Sequence, residues 1–235
     1  MPFPLYLAMT AAELAVWEPP PKLGYMACHF SAYDAGLCNL PTSLPAGSLL
    51  ILNDRMPPLR HDPALVCRQL AQTAEKVGAA AILLDMQRPG NPQTGEMIRA
   101  IVNEQVCPVI VSDIYAEEKD TDVFVSAPAL HTPPAQALRK WQGRRIWLEL
   151  ATEPELLVLT EQGCRPGFCD NADIPEDGFY DEKLCCHYQM QPGDRDARFL
   201  LWRTRKDLGQ YLLIAAKLGV CAAVGLYQQL WDAEL

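Results

Sequence analysis

The stretch Val77-Gly78-Ala79-Ala80-Ala81-Ile82-Leu83-Leu84-Asp85-Met86-Gln87-Arg88-Pro89 decides how this chain folds. Its first part closes a helix. Asp62-Pro63 offers an N-cap followed by proline at the first helical position, and the stripe Val66, Leu70, Ala74, Val77 runs to Gly78, a natural helix-ending residue. Ala80 to Leu84 is then continuously apolar, as a strand covered on both faces by helices must be. The strand ends in polar residues, and alternation places Leu83, Asp85 and Gln87 on one of its faces.

The same grammar recurs on either side. Apolar runs bounded by turn residues occur at Gly24–Phe30, Ser48–Asn53, Ala80–Met86, Pro108–Asp113, Asp122–Ala127, Arg145–Leu150, Lys183–Met190 and Val220–Tyr227. Thr204 with Asp207 forms a capping box for a helix running to Gly219; Thr94 caps one reaching about Asn103, and Thr10 with Glu13 a short one. Strand, capped helix, glycine and strand in alternation predict parallel βαβ units. Eight strands in 235 residues predict one compact (β/α)8 TIM-type barrel over residues 1–235, with some helices shortened or missing. Ala151–Glu182 fits the alternation poorly. It is read as an excursion in which Glu155–Gln162 pairs back on Arg145–Leu150 as a β-hairpin, followed by a loop. A doubly wound open sheet would carry a glycine-rich phosphate turn, and neither G-x-G-x-x-G nor G-x-x-x-x-G-K-[ST] occurs.

Composition narrows the function classes. The chain is 49% hydrophobic and 21% charged, with 29 acidic against 20 basic residues and a formal charge of −9. Such a balance gives no electrostatic footprint for nucleic acid or an anionic membrane surface. The longest apolar stretch, Tyr211 to Tyr227, is interrupted by Lys217 and Gly219 and reads as helix then strand, so no membrane partner is expected. Nine scattered cysteines and no secretion signal predict free thiols in a reducing cytoplasm. Twenty prolines fall between the apolar runs, in ordered loops.

In a barrel, chemistry gathers at the carboxyl ends of the strands. The polar residues there are His29, Asn53, Asp54, Arg55, Asp85, Gln87, Arg88, Asp113, Tyr115, Glu149, His187, Tyr188 and Gln189. Carboxylates, amides, histidines and tyrosines together suit sugar hydroxyls and other small polar ligands.

Ala80–Pro89 resembles the fourth strand of family-18 glycoside hydrolases, the chitinase-like barrels, whose motif is D-G-x-D-x-D-x-E followed by proline. The resemblance implies a barrel acting on an oligosaccharide. In that family the Glu protonates the glycosidic oxygen, and the last Asp orients the substrate's acetamido group as it attacks. The last Asp stands here as Asp85; the acid position is Gln87, the middle Asp is Leu83 and the first is Ala80. A glutamine amide is no proton donor with a tunable pKa, so the expectation is binding without the family's usual cleavage. Cys186-His187-Tyr188-Gln189 resembles the family's later M-x-Y-D strand, and Gly219–Trp231 stands where its last strand ends in tryptophan. Asp85, Gln87 and Glu149 are the candidate catalytic residues. The candidate ligand-binding residues are His29, Asp54, Arg88, Asp113, Tyr115, His187, Tyr188 and Gln189. No cofactor is implied. A non-catalytic structural or protein-interaction barrel is the alternative. A further one is a zinc site from Cys164, Cys169, Cys185 and His187, whose spacing is looser than usual.

Overall fold

The computed structural model describes residues 2–58, 60–104, 107–117, 121–169, 174–175 and 177–231. Eight parallel strands close into a barrel. They are β1 (Leu5–Met9), β2 (Leu23–Phe30), β4 (Leu49–Asn53), β5 (Ala81–Asp85), β6 (Val109–Ser112), β7 (Asp122–Val125), β8 (Ile146–Leu150) and β14 (Val220–Leu226). β1 pairs with both β14 and β2, which removes the sheet edges. The two-residue β3 (Leu37–Cys38) folds back antiparallel on the end of β2.

The TIM-type barrel expected from the sequence is therefore present, but its eight strands are not the eight apolar runs. β1 was not among them, and Lys183–Met190 is not a barrel strand. A short apolar run gives no period that separates a buried parallel strand from other buried segments. With β1 included, Ala81–Asp85 moves from third strand to fourth, where the resemblance placed its motif.

Alternation along each strand sorts the side chains. Tyr6, Ala8, Leu49, Ile51, Ala81, Leu83, Ile110, Phe124, Trp147, Ala222 and Val224 pack together as the barrel's interior. Their neighbours one position away, including Leu50, Leu52, Ile82, Leu84, Val111 and Leu148, join helix residues such as Val66, Leu70, Met97, Ile101 and Leu212 in the outer shell. The interior is tight: a Cβ at Gly24 would stand 3.0 Å from Ile51 Cδ1 and 3.4 Å from the Ala8 Cα. At the amino end, the Trp147 indole donates to Asp122 Oδ2 at 2.9 Å, so its polar edge is not orphaned.

Three long helices cover the barrel. α2 (Pro63–Val77) has the expected caps: Asp62 accepts from the Ala64 N–H, and Gly78 is left-handed at φ 63°. α5 (Arg205–Lys217) carries the Thr204–Asp207 capping box. α3 (Pro92–Glu104) begins before Thr94; Asn91 Oδ1 takes the Gln93 N–H, and Thr94 is buried. α1 (Ala11–Leu14), capped by Thr10 and Glu13, α4 (Pro134–Ala137) and α6 (Tyr227–Leu230) are single turns, so helices are shortened as expected.

Between β8 and α5 lies a five-stranded antiparallel sheet in the order β10-β9-β13-β12-β11. Its strands are β9 (Glu155–Thr160), β10 (Gly163–Pro166), β11 (Phe179–Asp181), β12 (Cys186–Pro192) and β13 (Asp196–Trp202). The excursion is thus larger than the sequence reading had it. β9 pairs with β10 and β13, not with β8, because residues 151–154 turn the chain out of the barrel first. Among the described residues no helix is long and apolar enough to cross a membrane.

Candidate functional site

The inward-facing positions continue one step past the apolar interior and become polar. Leu49 and Ile51 lead to Asn53; Ala81 and Leu83 lead to Asp85 and Gln87. In the same way Ile110 leads to Ser112, Phe124 to Ser126, and Trp147 to Glu149. Register holds the first of these side by side: His29 is opposite Asn53, and Asn53 is opposite Asp85.

A chain of hydrogen bonds runs across this mouth. Gln87 Nε2 donates to Asp85 Oδ1 at 2.6 Å, and Ser126 Oγ donates to Gln87 Oε1 at 3.1 Å. The same hydroxyl lies 3.4 Å from Asp113 Oδ1. On the next strand round, Glu149 Oε2 accepts the N–H of Ala127, the residue after Ser126, at 2.9 Å. Ser126 was not singled out from the sequence, because a serine one residue beyond an apolar strand looks like any turn residue.

Three carboxyls here sit above their ordinary pKa range. Burial pushes Asp85 up and nearby Asp54 adds to this, against the Gln87 hydrogen bond. Burial also raises Glu149; the Ala127 N–H opposes it, while Asp85, Glu153 and Asp113 push it further up. Burial raises Asp113 against Ser126 and Lys140. Carboxyls that repel one another in a partly desolvated mouth hold protons more tightly.

The other candidates are placed differently. Asp54 Oδ2 accepts the Arg88 N–H at 2.8 Å, and the Tyr115 hydroxyl donates to the Arg88 carbonyl at 2.5 Å. Those three brace the loop after β5. The Arg88 side chain turns back to the Arg55 carbonyl at 3.1 Å. His29 Nδ1 lies 2.9 Å from the Ala27 carbonyl.

His187, Tyr188 and Gln189 lie on β12 of the antiparallel sheet, so their placement at a barrel strand end is corrected. His187 Nδ1 meets Asp207 Oδ2 at 2.9 Å and stacks on Trp202, and Tyr188 packs against Phe179. Among the described residues no group of three or more His, Cys, Asp and Glu is gathered as a metal site requires. Cys164 is exposed on β10, whereas Cys185 is buried, so the proposed zinc set is not assembled. Of the tryptophans, Trp17 and Trp231 are exposed and Trp141, Trp147 and Trp202 are buried.

Strand order and register define a (β/α)8 barrel whose carboxyl-end mouth is polar. No protein-family model and no curated protein sequence matches the chain. Solved structures do. The spore cortex-lytic enzyme SleL of Bacillus cereus superposes with a TM-score of 0.62 at 12% identity, covering 95% of this chain and 70% of that one. A chitinase of Chromobacterium violaceum gives 0.60 at 8% identity, covering 98% and 96%. The family-18 chitinase of Cycas revoluta, in complex with allosamidin, gives 0.59 at 12% identity, covering 97% and 96%. The chain has the fold of the family-18 glycoside hydrolases and resembles them distantly.

Proposed function

We propose that the carboxyl-end mouth of the barrel binds an oligosaccharide of the N-acetylglucosamine type and lacks the family's usual acid step. The observation that carries this is the Gln87–Asp85 hydrogen bond of 2.6 Å. An amide occupies the position where a proton donor would act, and both its ends are engaged, Nε2 by Asp85 and Oε1 by Ser126. An amide has no proton to deliver and recover near neutral pH. It does keep glutamate's shape and its capacity to hydrogen-bond a sugar. Among the structural neighbours, the Cycas revoluta chitinase is seen with (GlcNAc)3, and a mutant of it, one of whose changes is glutamate to glutamine, with (GlcNAc)4.

In this reading Asp85 accepts from the sugar's amide N–H, and Gln87 and His29 contact ring substituents. Asp113 and Glu149 continue the rim beyond Gln87, after β6 and at the end of β8. Asp54, Arg88 and Tyr115 hold the loop that borders the site. A thermal-denaturation series with (GlcNAc)3 tests it, since a ligand bound only to the native state raises the melting temperature with concentration. A melting temperature indifferent to the sugar would leave a structural or protein-interaction barrel.

The raised pKa of Glu149 favours one second reading. A buried carboxyl whose pKa is raised is a better proton donor at mildly acidic pH than an ordinary one, and Glu149 would then supply slow hydrolysis in place of Gln87. Products from (GlcNAc)4 that vanish in Glu149→Gln would establish it.

A further inference from the structure

In a (β/α)8 barrel each strand is followed by a helix of the outer ring. Between β6 and β7 the described residues carry no helix; the chain passes through Ile114, Tyr115 and Ala116 instead. The space beside α3 is left as a cleft of about 400 Å³. None of Asp85, Gln87, Asp113 and Glu149 lines it, so it is separate from the mouth. Its walls are apolar: Ile98 and Val102 from α3, Val111 from the outer face of β6, and Ile114, which is 40% exposed.

Gly95 is the informative residue. It lies within α3, although glycine is the poorest helix former after proline. Neither of glycine's usual reasons applies: its φ is not left-handed, and a Cβ there would meet nothing within 4 Å. What the missing side chain does is keep the α3 wall of the cleft open. Residues 89–92, which also line the cleft, are braced on both sides. The Tyr115 hydroxyl donates to the Arg88 carbonyl at 2.5 Å, Asn91 Oδ1 takes the Gln93 N–H, and the Asn91 carbonyl takes the Gly95 N–H at 3.3 Å. A cleft fixed in advance costs a ligand little ordering.

Its rim carries one charge of each sign. Arg99 and Glu117 both line it and are exposed, and neither side chain has a hydrogen-bond or ion-pair partner among the described residues. An apolar chamber with unpaired positive and negative groups complements a molecule with an apolar body, a carboxylate and an ammonium. The volume equals roughly thirteen waters at about 30 Å³ each, the scale of an aromatic amino acid.

We infer that this cleft is a binding site for a hydrophobic α-amino acid, its carboxylate on Arg99, its ammonium on Glu117 and its side chain between α3 and β6. The site is distinct from the proposed sugar site and does not depend on it.

The test is titration calorimetry of L-phenylalanine into wild type, Arg99→Ala, Glu117→Gln, Gly95→Leu and Gln87→Ala. Phenylpropionate and phenethylamine serve as probes that each lack one charge. Wild type should bind L-phenylalanine saturably, and each one-charge probe about five- to tenfold more weakly. Arg99→Ala and Glu117→Gln should each weaken the amino acid by a similar factor. Gly95→Leu should abolish binding while melting no lower than wild type, since leucine is the better helix former. Gln87→Ala should bind as wild type does. No binding by wild type, equal binding of the one-charge probes, or unchanged affinity in Gly95→Leu would overturn the inference. So would loss of binding in Gln87→Ala, which would put the amino acid in the mouth. If Gly95→Leu melts lower, Arg99→Ala and Glu117→Gln decide, and unchanged affinity in both overturns it.

Discussion

Asp85 ends the fourth barrel strand and Gln87 follows two residues on, joined to it by a 2.6 Å hydrogen bond from amide to carboxylate. Replacing that amide by a carboxyl tests what the glutamine withholds. In Gln87→Glu the two groups cannot both ionise at that separation, so one keeps a proton into the mildly acidic range. At pH 5–6 the variant should release products from (GlcNAc)4 about 10²-fold faster than wild type, the low end of a general acid's contribution. Chromatography of the products checks it; equal rates would show that the missing acid is not what limits cleavage.

Burial and neighbouring carboxylates raise Glu149, which gives stability a pH dependence of definite sign. Its folded pKa lies above its unfolded one, so the native state binds more protons between the two values. Its contribution is intact below the ordinary carboxyl range and is lost as pH rises through the raised pKa. Glu149→Gln removes that loss. The variant should gain stability relative to wild type at pH 7 and show a smaller gain at pH 4, in urea melts at both. A difference independent of pH would contradict the raised pKa.

Tyr6 on β1 is 5% exposed and packs 5.4 Å from Trp147 inside the barrel. Tyr6→Ala empties part of that interior and should cost about 3–5 kcal/mol, as truncation of a buried aromatic does. Urea unfolding followed by tryptophan fluorescence measures it. A cost under about 1 kcal/mol would mean that β1 does not close the barrel.

His187 bonds Asp207, which also caps α5 through Thr204. His187→Ala therefore should lower stability by about 1.5–3 kcal/mol while Asp207 keeps its cap, the size of one hydrogen bond to a charged group. Sugar affinity should be unchanged, since β12 is not a barrel strand. A tenfold loss of affinity would put the inserted sheet's His187 in contact with ligand.

Much of the scaffold was legible because it is local. Asp62, Pro63 and Gly78 bound α2, and Thr204 with Asp207 starts α5, each through contacts only a few residues long. Asp85 and Gln87 were readable for the same reason, being set by alternation along one strand. What was not legible depends on distant pairing. β1 is five residues between prolines and turns, and only its partners β14 and β2 make it a barrel strand. Lys183–Met190 begins with the buried pair Cys185 and Cys186, which makes its apolar start look like a barrel strand's. Its antiparallel partner β13 is fixed by chain reversal, not by pattern. Ser126 reached the site only through folding, since a serine just past an apolar strand looks like any turn residue.

The most direct measurement is calorimetric titration of (GlcNAc)4 into wild type and Asp85→Ala, with the sugar recovered afterwards. Wild type should bind saturably and return the sugar uncut, and Asp85→Ala should bind about tenfold or more weakly, having lost a charged hydrogen-bond acceptor. No binding by wild type, or equal affinity in the two proteins, would contradict an oligosaccharide site built on Asp85 and Gln87.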